Sequence, residues 1–579
     1  MAIEEQKILS YLLQKKDNYT NHRKYNYDNL FLENYRLYKS YRDPQLHVWQ
    51  TNIFVPYVFS MIETVLPRIV EYLWQGDKFV TTVPRDSMDD PGNAKIIDDL
   101  VNWQTDSQIE NLFLEWVEMF KTYMIQGTGI GKITWDVLKD KPTFMNVDIF
   151  DMFVQPGKKY IDQMDGVFHV FDLPADIVQA KGQLGAGYKN LEGLAKTSMG
   201  TKDEEGDTVK DAEVGRVRNY EPNRKTSLIY QYWGKVPVQD SITVGIPQLG
   251  NTTYQEKLCE IANRNTLIRV SDNPYATEGK PEGMRPFVVA KNYLDPGEFY
   301  GIGDISPIKD VQYEMNEIEN SDMDNIKLAM NKMWLVGGTA GVDISNMVSY
   351  PGNVITANDP SQITPLEHKP GDHGAAKKLE HLKGIIDGSA GVFDYTKGAN
   401  TPGMTDTVGG ITSLIQEANA RFSYKIKVLQ MTAIKGFAEK LFHLDQMFIK
   451  GVGIPVRISN EEGFRWLNVN PDNIQGMYNF KPVSVSMIGN KLAKQNAMIR
   501  LLEVISKSPP LPSFIKAMME SFDLENKEEV MQELMQMWGI AQQGQGGPPG
   551  VPSPTRQGGS PVNDAQVGQN LSNQMRVGR

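Results

Sequence analysis

The chain has almost no cysteine. Cys259 is the single thiol in 579 residues, so no intrachain disulfide can form and a reducing compartment is expected. A basic surplus is missing too. Lys and Arg number 60 against 71 Asp and Glu, for a formal charge of −11 and a pI near 5.4. A protein that grips DNA through its phosphates normally carries surplus positive charge. Such a grip is excluded here unless the lysines are segregated onto one surface. Long apolar runs are also lacking. The most apolar early stretch, Ile53–Trp74, carries Glu63, Arg68, Glu71 and two prolines, which argues against a membrane span. The N-terminus, "MAIEEQKILSYLL", is polar and acidic from the start, unlike a signal peptide.

Catalytic signatures are absent as well. The histidines (His22, His47, His169, His368, His373, His381 and His443) are scattered. The closest three, His368, His373 and His381, match no zinc spacing, and one cysteine cannot supply thiolates. Asp148 and Asp151 stand three apart on an expected strand, where side chains at that spacing face opposite sides. There is no G-x-S-x-G elbow. Neither cofactor nor metal is expected, and the balance favours a structural or binding protein over an enzyme.

What is present is an ordinary globular composition, 40 % hydrophobic and 23 % charged, in a chain long enough for about four compact units or fewer, larger ones. Residues 1 to about 126 read as helical, with Asn93–Gly127 one long amphipathic pattern stopped by glycine. The period then changes. "GKITWDVL", "PTFMNVDIFDMFVQPG", "DGVFHVFDLP", "TSLIYQYWGKVPVQ" and "TYQEKLCEIANRNTLIRV" have the β-branched, aromatic and alternating character of strands. Helical spacing returns from Pro307, and again over 375–388. A helix of some 40 residues, about 60 Å, is expected from Ile411 to Phe448, with Gly436 a possible bend. Residues 454–489 are strand-like and 490–540 helical. From Gln542 the chain is rich in Gly, Pro, Gln and Ser without core-forming residues, the composition of a disordered tail.

The stretch "QGTGIGKITWD" (Gln126–Asp136) raises a nucleotide question. A Walker loop needs G-x-x-x-x-G-K-[ST] between a strand and a helix. Here Gln126 occupies the first glycine position, Ile133 follows Lys132, and the order is helix then strand. The reading is a structural turn, with a nucleotide-binding enzyme using Gly127–Lys132 kept as the alternative.

From Pro307 the apolar residues Ile308, Val311, Met315, Ile318, Ile326, Met330 and Met333 form one helical arc, with Asp310, Glu314, Glu317 and Asp324 opposite it. Those four are expected to form an acidic face. Glu319 and Asp322 fall inside the apolar arc. They are either satisfied core polars or partners for a neighbouring subunit.

The order of elements, together with "MIQGTGIGKITWD", "VDIFDMFVQPGKKYIDQMDGVFHVFDLP", "YGIGDISPIKDVQYEMNEIENSDMDNIKLAMNKMWLV" and "ANTPGMTDTVGGITSLIQEANARFSYKIKVLQ", resembles the portal (head-to-tail connector) proteins of tailed, short-tailed bacteriophages over roughly residues 30–540. Gln155-Pro156 stands where the family usually closes the second stretch with Asp-Pro. The resemblance implies an α+β portal fold: an N-terminal wing (1–302), stem helix 1 (303–334), clip (335–374), stem helix 2 (375–390), tunnel loop (391–406), long wing helix and β segment (407–489), helical crown (490–540) and tail (541–579). It further implies a dodecameric ring at one capsid vertex of the virion, made in the host cytoplasm, that seeds capsid assembly. Double-stranded DNA would pass through its channel without sequence readout during packaging and ejection. Terminase large subunit, major capsid and scaffolding proteins and tail adaptors would be its partners. A different phage ring or adaptor component remains the other alternative; adaptors are usually much shorter.

A DNA conduit must not bind tightly, because each gripped phosphate adds affinity, and net acidity suits that need. Lys377, Lys378, Lys383 and Lys397 are candidates to centre the duplex, or else they form a solvated helix face. Gly388, Gly391, Gly398 and Gly403 are either loop hinges or ordinary linker glycines.

Overall fold

The computed structural model describes residues 3–483, apart from 45–49, 75–77, 86–90, 184–186, 192–209, 211–213, 215–225, 239–252, 278–279, 332, 345–346, 348–353, 355, 367–373, 392–421, 452 and 461–462. These residues lie in the first of two compact units, Met1–Met487. The second unit, Ile488–Arg579, lies outside the described residues, and with it the expected crown and tail.

Helix α1 (Ile3–Arg23) continues through a π-helical turn, Lys24–Asp28, into α2 (Asn29–Tyr38). Next come α3 (Tyr57–Trp74), strand β1 (Val80–Pro84), α4 (Pro91–Trp103), a second π turn (Gln104–Gln108) and α5 (Leu112–Gln126). The helix expected without a break over Asn93–Gly127 is therefore two. Ile109 is extended and Asn111 adopts a left-handed φ of 55°, a conformation that asparagine tolerates better than most residues. Gly127, at φ 84°, stops α5 where the sequence places the stop.

Strands β2 (Thr128–Asp136), β3 (Lys141–Val147), β4 (Met152–Val154), β5 (Gly166–Pro174), helix α6 (Ala175–Gln183), then β6 (Thr226–Val238), β7 (Thr253–Ala262), β8 (Thr266–Asp272) and β9 (Phe287–Lys291) form two antiparallel sheets. Their orders are β3-β2-β9 and β4-β5-β6-β7-β8. Asp148 and Asp151 do not sit on a strand. Asp148 caps a short 3-10 turn, Ile149–Asp151, by accepting from the Phe150 amide at 3.0 Å, because a short polar side chain competes well for free turn amides.

The second half holds α7 (Lys309–Met330), β10 (Met333–Val336), β11 (Ile363–Leu366) and α8 (Gly374–Ala390). Met333, expected on the helical arc, opens β10 instead, which pairs antiparallel with β11. Residues 422–429 are helical and pass through a π turn, Gln430–Ile434, into α9 (Lys435–Phe448). The irregular turn of this helix thus precedes Gly436; the expected start at Ile411 lies outside the described residues. Then follow β12 (Ile454–Asn460), β13 (Gly463–Val469) and β14 (Tyr478–Pro482). Strand β14 pairs with β1, Val80 opposite Pro482. The reading of residues 1–126 as helical missed β1, a five-residue strand whose partner lies some 400 residues away.

The main core joins α3, α4, α5, the three-stranded sheet and α9. At its centre Trp116 stacks on Phe144 (centroids 5.1 Å, planes 12°) and meets Phe437 edge-on at 5.5 Å. Such aromatic pairs add ~0.5–1.5 kcal/mol beyond their burial. A second core lies under α1, where Leu12 and Tyr19 cover Phe168, Tyr230, Tyr232 and Cys259 on one face of the five-stranded sheet. Burial pushes the Cys259 thiol up to about 12, which leaves it an inert packing group.

Candidate functional site

The glycine loop between α5 and β2 is filled by protein. A Cβ on Gly127 would stand 2.1 Å from the Gly301 carbonyl oxygen, and one on Gly129 would stand 2.4 Å from that of Met119. The Lys132 side chain is buried, with Nζ 2.7 Å from Gln231 Oε1 and 3.2 Å from His169 Nδ1. The glycines serve close backbone packing, and no phosphate has room beside this lysine.

Helix α7 and its surroundings are built differently. Helix α7 buries Gln312, Met315, Asn316 and Asn320, mostly amides rather than the apolar arc. They bind the backbone of a strap, residues 51–56, and of the first turn of α3 that follows it. Gln312 Nε2 donates to the Val55 carbonyl at 2.7 Å, and its Oε1 accepts from Val58 N at 3.2 Å. Asn316 Oδ1 accepts from Val55 N at 2.9 Å. Asn320 accepts from Ile53 N at 2.6 Å and donates to the Ile53 carbonyl at 2.8 Å. Asp324 Oδ1 accepts from Thr51 N at 2.7 Å and from its hydroxyl at 2.6 Å. One helical turn of four residues advances ~6 Å, and two extended residues ~6.6 Å. The two repeats stay in step over Thr51, Ile53 and Val55. Helix α8 grips the start of α3, where Tyr57 Oη donates to Asp387 Oδ2 at 2.6 Å.

Asp324 therefore belongs to this ladder, not to the open acidic face with which the helical wheel groups it. The bonds from Thr51, chiefly its hydroxyl, hold the Asp324 carboxyl below the usual range. Asp310, Glu314 and Glu317 are exposed along α7. Glu314 pairs with Lys378 of α8 at 3.0 Å, and Glu317 lies 3.9 Å from Arg42. Glu319 is half-buried and Asp322 exposed. Lys377 and Lys383 are exposed on α8. Gly388 lies within α8 and Gly391, at φ 69°, follows it. Lys397, Gly398 and Gly403 lie outside the described residues.

Of the apolar arc, Ile308 and Met315 are buried, whereas Ile326 and Met330 are exposed, Met330 by 77 %. Trp334 and Leu335 on β10 extend this exposed apolar end. Ahead of α7 the chain is anchored by a buried ion pair. Lys425, from the helical stretch before the π turn, meets both Asp304 oxygens at 2.6 Å, and Asn292 Nδ2 donates to Asp304 at 3.1 Å. Composition and wheel analysis missed both the ladder and this anchor. The ladder has a sequence signal, though: Gln312, Asn316, Asn320 and Asp324 recur every fourth residue. The anchor has none, since Asp304 and Lys425 are 121 residues apart.

Among the described residues no group of His, Cys, Asp and Glu could hold a metal ion, and no helix is long and apolar enough to cross a membrane. No curated protein matches the chain. A protein-family model described as phage SU10 portal protein matches residues 137–555, most of its length.

Proposed function

The chain belongs to the phage SU10 portal protein family, and from that premise we propose that it forms the ring through which double-stranded DNA enters and leaves the capsid. Portal proteins are structural, so the nucleotide-binding alternative has neither family nor geometry behind it: Lys132 is engaged within the protein. One observation carries the finer reading. Helices α7 and α8 lie together, joined by Lys378–Glu314, with the small β10–β11 pair between them in sequence. This fits a stem of 303–334 and 375–390 bearing a clip of 335–374. The remaining assignments rest on the family resemblance: wing 1–302 and 407–489, tunnel loop 391–406, crown 490–540.

The exposed Ile326, Met330, Trp334 and Leu335 suit burial against a neighbouring copy, as expected of a twelve-membered ring. Asp322 and half-buried Glu319 lie along the same helix. Lys377 and Lys383, open to solvent, would face the duplex. Lys378 has a carboxylate partner and serves the stem first. In this reading the ring sits at one vertex, docks terminase and tail adaptors, and meets capsid and scaffolding proteins.

Electron microscopy of the purified protein with particle mass measurement tests the ring. A holed particle of twelve 65.2 kDa subunits is the expected outcome. A monomer at every concentration would overturn it.

A further inference from the structure

We propose that Lys132 and Gln231 become joined by an isopeptide bond, formed by the protein itself, that ties the three-stranded sheet to the five-stranded one. The inference is independent of the ring and rests on a buried constellation at the junction of the two sheets. Lys132 comes from β2, while His169, Gln231 and Glu260 are direct cross-strand neighbours on β5, β6 and β7. All four are nearly inaccessible: 7 %, 4 %, 8 % and 4 % exposed. They point away from the face that α1 covers.

The groups an acyl transfer needs are gathered here. Lys132 Nζ lies 2.7 Å from Gln231 Oε1, and the carbon it would attack is one carbonyl bond, ~1.2 Å, from that oxygen. The Trp233 indole N–H donates to the same oxygen at 2.9 Å, ready to hold the oxyanion of a tetrahedral intermediate. Glu260 Oε1 accepts from Gln231 Nε2 at 2.6 Å, on the amide nitrogen that must leave. His169 Nδ1, 3.2 Å from Nζ, is placed to take the amine's proton. The amide orientation is settled by its partners: two donors meet its oxygen and a carboxylate meets its nitrogen. The rings of Phe171 and Phe287 lie 5.5 and 5.7 Å from Nζ. Burial pushes the Lys132 ammonium down to about 8, against the pull of Glu260, so the nucleophilic free amine is within reach at neutral pH.

The step balances without an outside reagent. The Nζ lone pair attacks Gln231 Cδ, the Nζ–Cδ bond forms, and the Cδ–Nε2 bond breaks. The proton lost from Nζ passes to Nε2, its neighbour on the same carbon in the tetrahedral intermediate and the atom held by Glu260 Oε1, and Nε2 leaves as ammonia. No oxidant is consumed. A chain with a single buried cysteine would thereby gain a covalent staple that a reducing compartment cannot open.

Intact-mass spectrometry of the denatured full-length protein tests this. The expected mass is lower by one ammonia, about 17 Da, and protease digestion yields one peptide pair joined through Lys132 and Gln231. Trp233→Phe keeps the bulk but removes the oxyanion donor, and should slow joining by about 100-fold. Glu260→Gln, checked for native circular dichroism, should remain unjoined. A folded, incubated wild-type protein at its full sequence mass would overturn the proposal. So would an ammonia loss that maps to an asparagine succinimide rather than to the joined pair.

Discussion

The aromatic core around Trp116 and the amide ladder of α7 hold the same chain by opposite means. In the core, Trp116, Phe120, Phe144 and Phe437 are fully buried or nearly so and held by packing, a non-directional force that tolerates small shifts. In the ladder, Gln312, Asn316, Asn320 and Asp324 bind main-chain groups of the strap through directed bonds. Each bond adds only ~0.5–1.5 kcal/mol net, yet a buried amide left unpaired costs ~1–3 kcal/mol. The core supplies bulk stability. The ladder fixes the register of α7 against the strap, because a shift by anything other than a full turn leaves polar groups unpaired.

The sharpest break is on the core side. Trp116→Ala should cost ~3–5 kcal/mol, read as a lower denaturant midpoint or outright loss of soluble protein. If the cost is under about 1 kcal/mol, this cluster is not the centre of the fold.

On the ladder side, Asn320→Leu should cost ~1–3 kcal/mol and act locally. Hydrogen exchange at the Ile53 amide should speed up strongly, while amides in β2 keep their protection. Uniform loosening of both regions would erase the distinction between core and ladder.

A third change probes a polar group inside the core. Asp445 is buried on α9, with Gln104 Nε2 donating to its Oδ1 at 2.6 Å. Burial pushes its carboxyl up to about 8, and Gln104 alone pulls it down; no charged group contributes. Asp445 Oδ2 and Gln104 Oε1 have no hydrogen-bond partner, the setting of a carboxyl kept neutral rather than of a solvated carboxylate. The folded pKa lies above the unfolded value near 3.8. The stabilising proton is therefore fully in place below pH 4, and its contribution is lost as pH rises towards 8. Asp445→Asn supplies the donor permanently. It should equal the wild type below pH 4 and exceed it in thermal stability at pH 8. A parallel pair of pH profiles would show that the carboxyl is not held neutral.

Much of the fold can be read from patterns one element long. The glycine stop at Gly127, strands β2, β5 and β6 and helices α7 and α8 stand where periodicity and turn residues place them. What failed depended on distant partners. β1 needs β14, Met333 follows the β11 pairing rather than the helical arc, and Asp324 is taken from the acidic face by Thr51. The ladder was legible in principle, as amides every fourth residue, but a search for apolar stripes passes over it.

By itself the sequence determined the single inert thiol, the acidic balance, the α+β succession of elements and, through that succession, the family resemblance. These are local or additive properties, which a linear reading carries intact. The tertiary structure alone decided which buried polar groups meet. Asp304 with Lys425, Gln104 with Asp445 and Lys132 with Gln231 and Glu260 are each brought together across long stretches of chain. Away from water, hydrogen bonding and charge depend on which neighbour the fold delivers, and no spacing along the sequence encodes that distance.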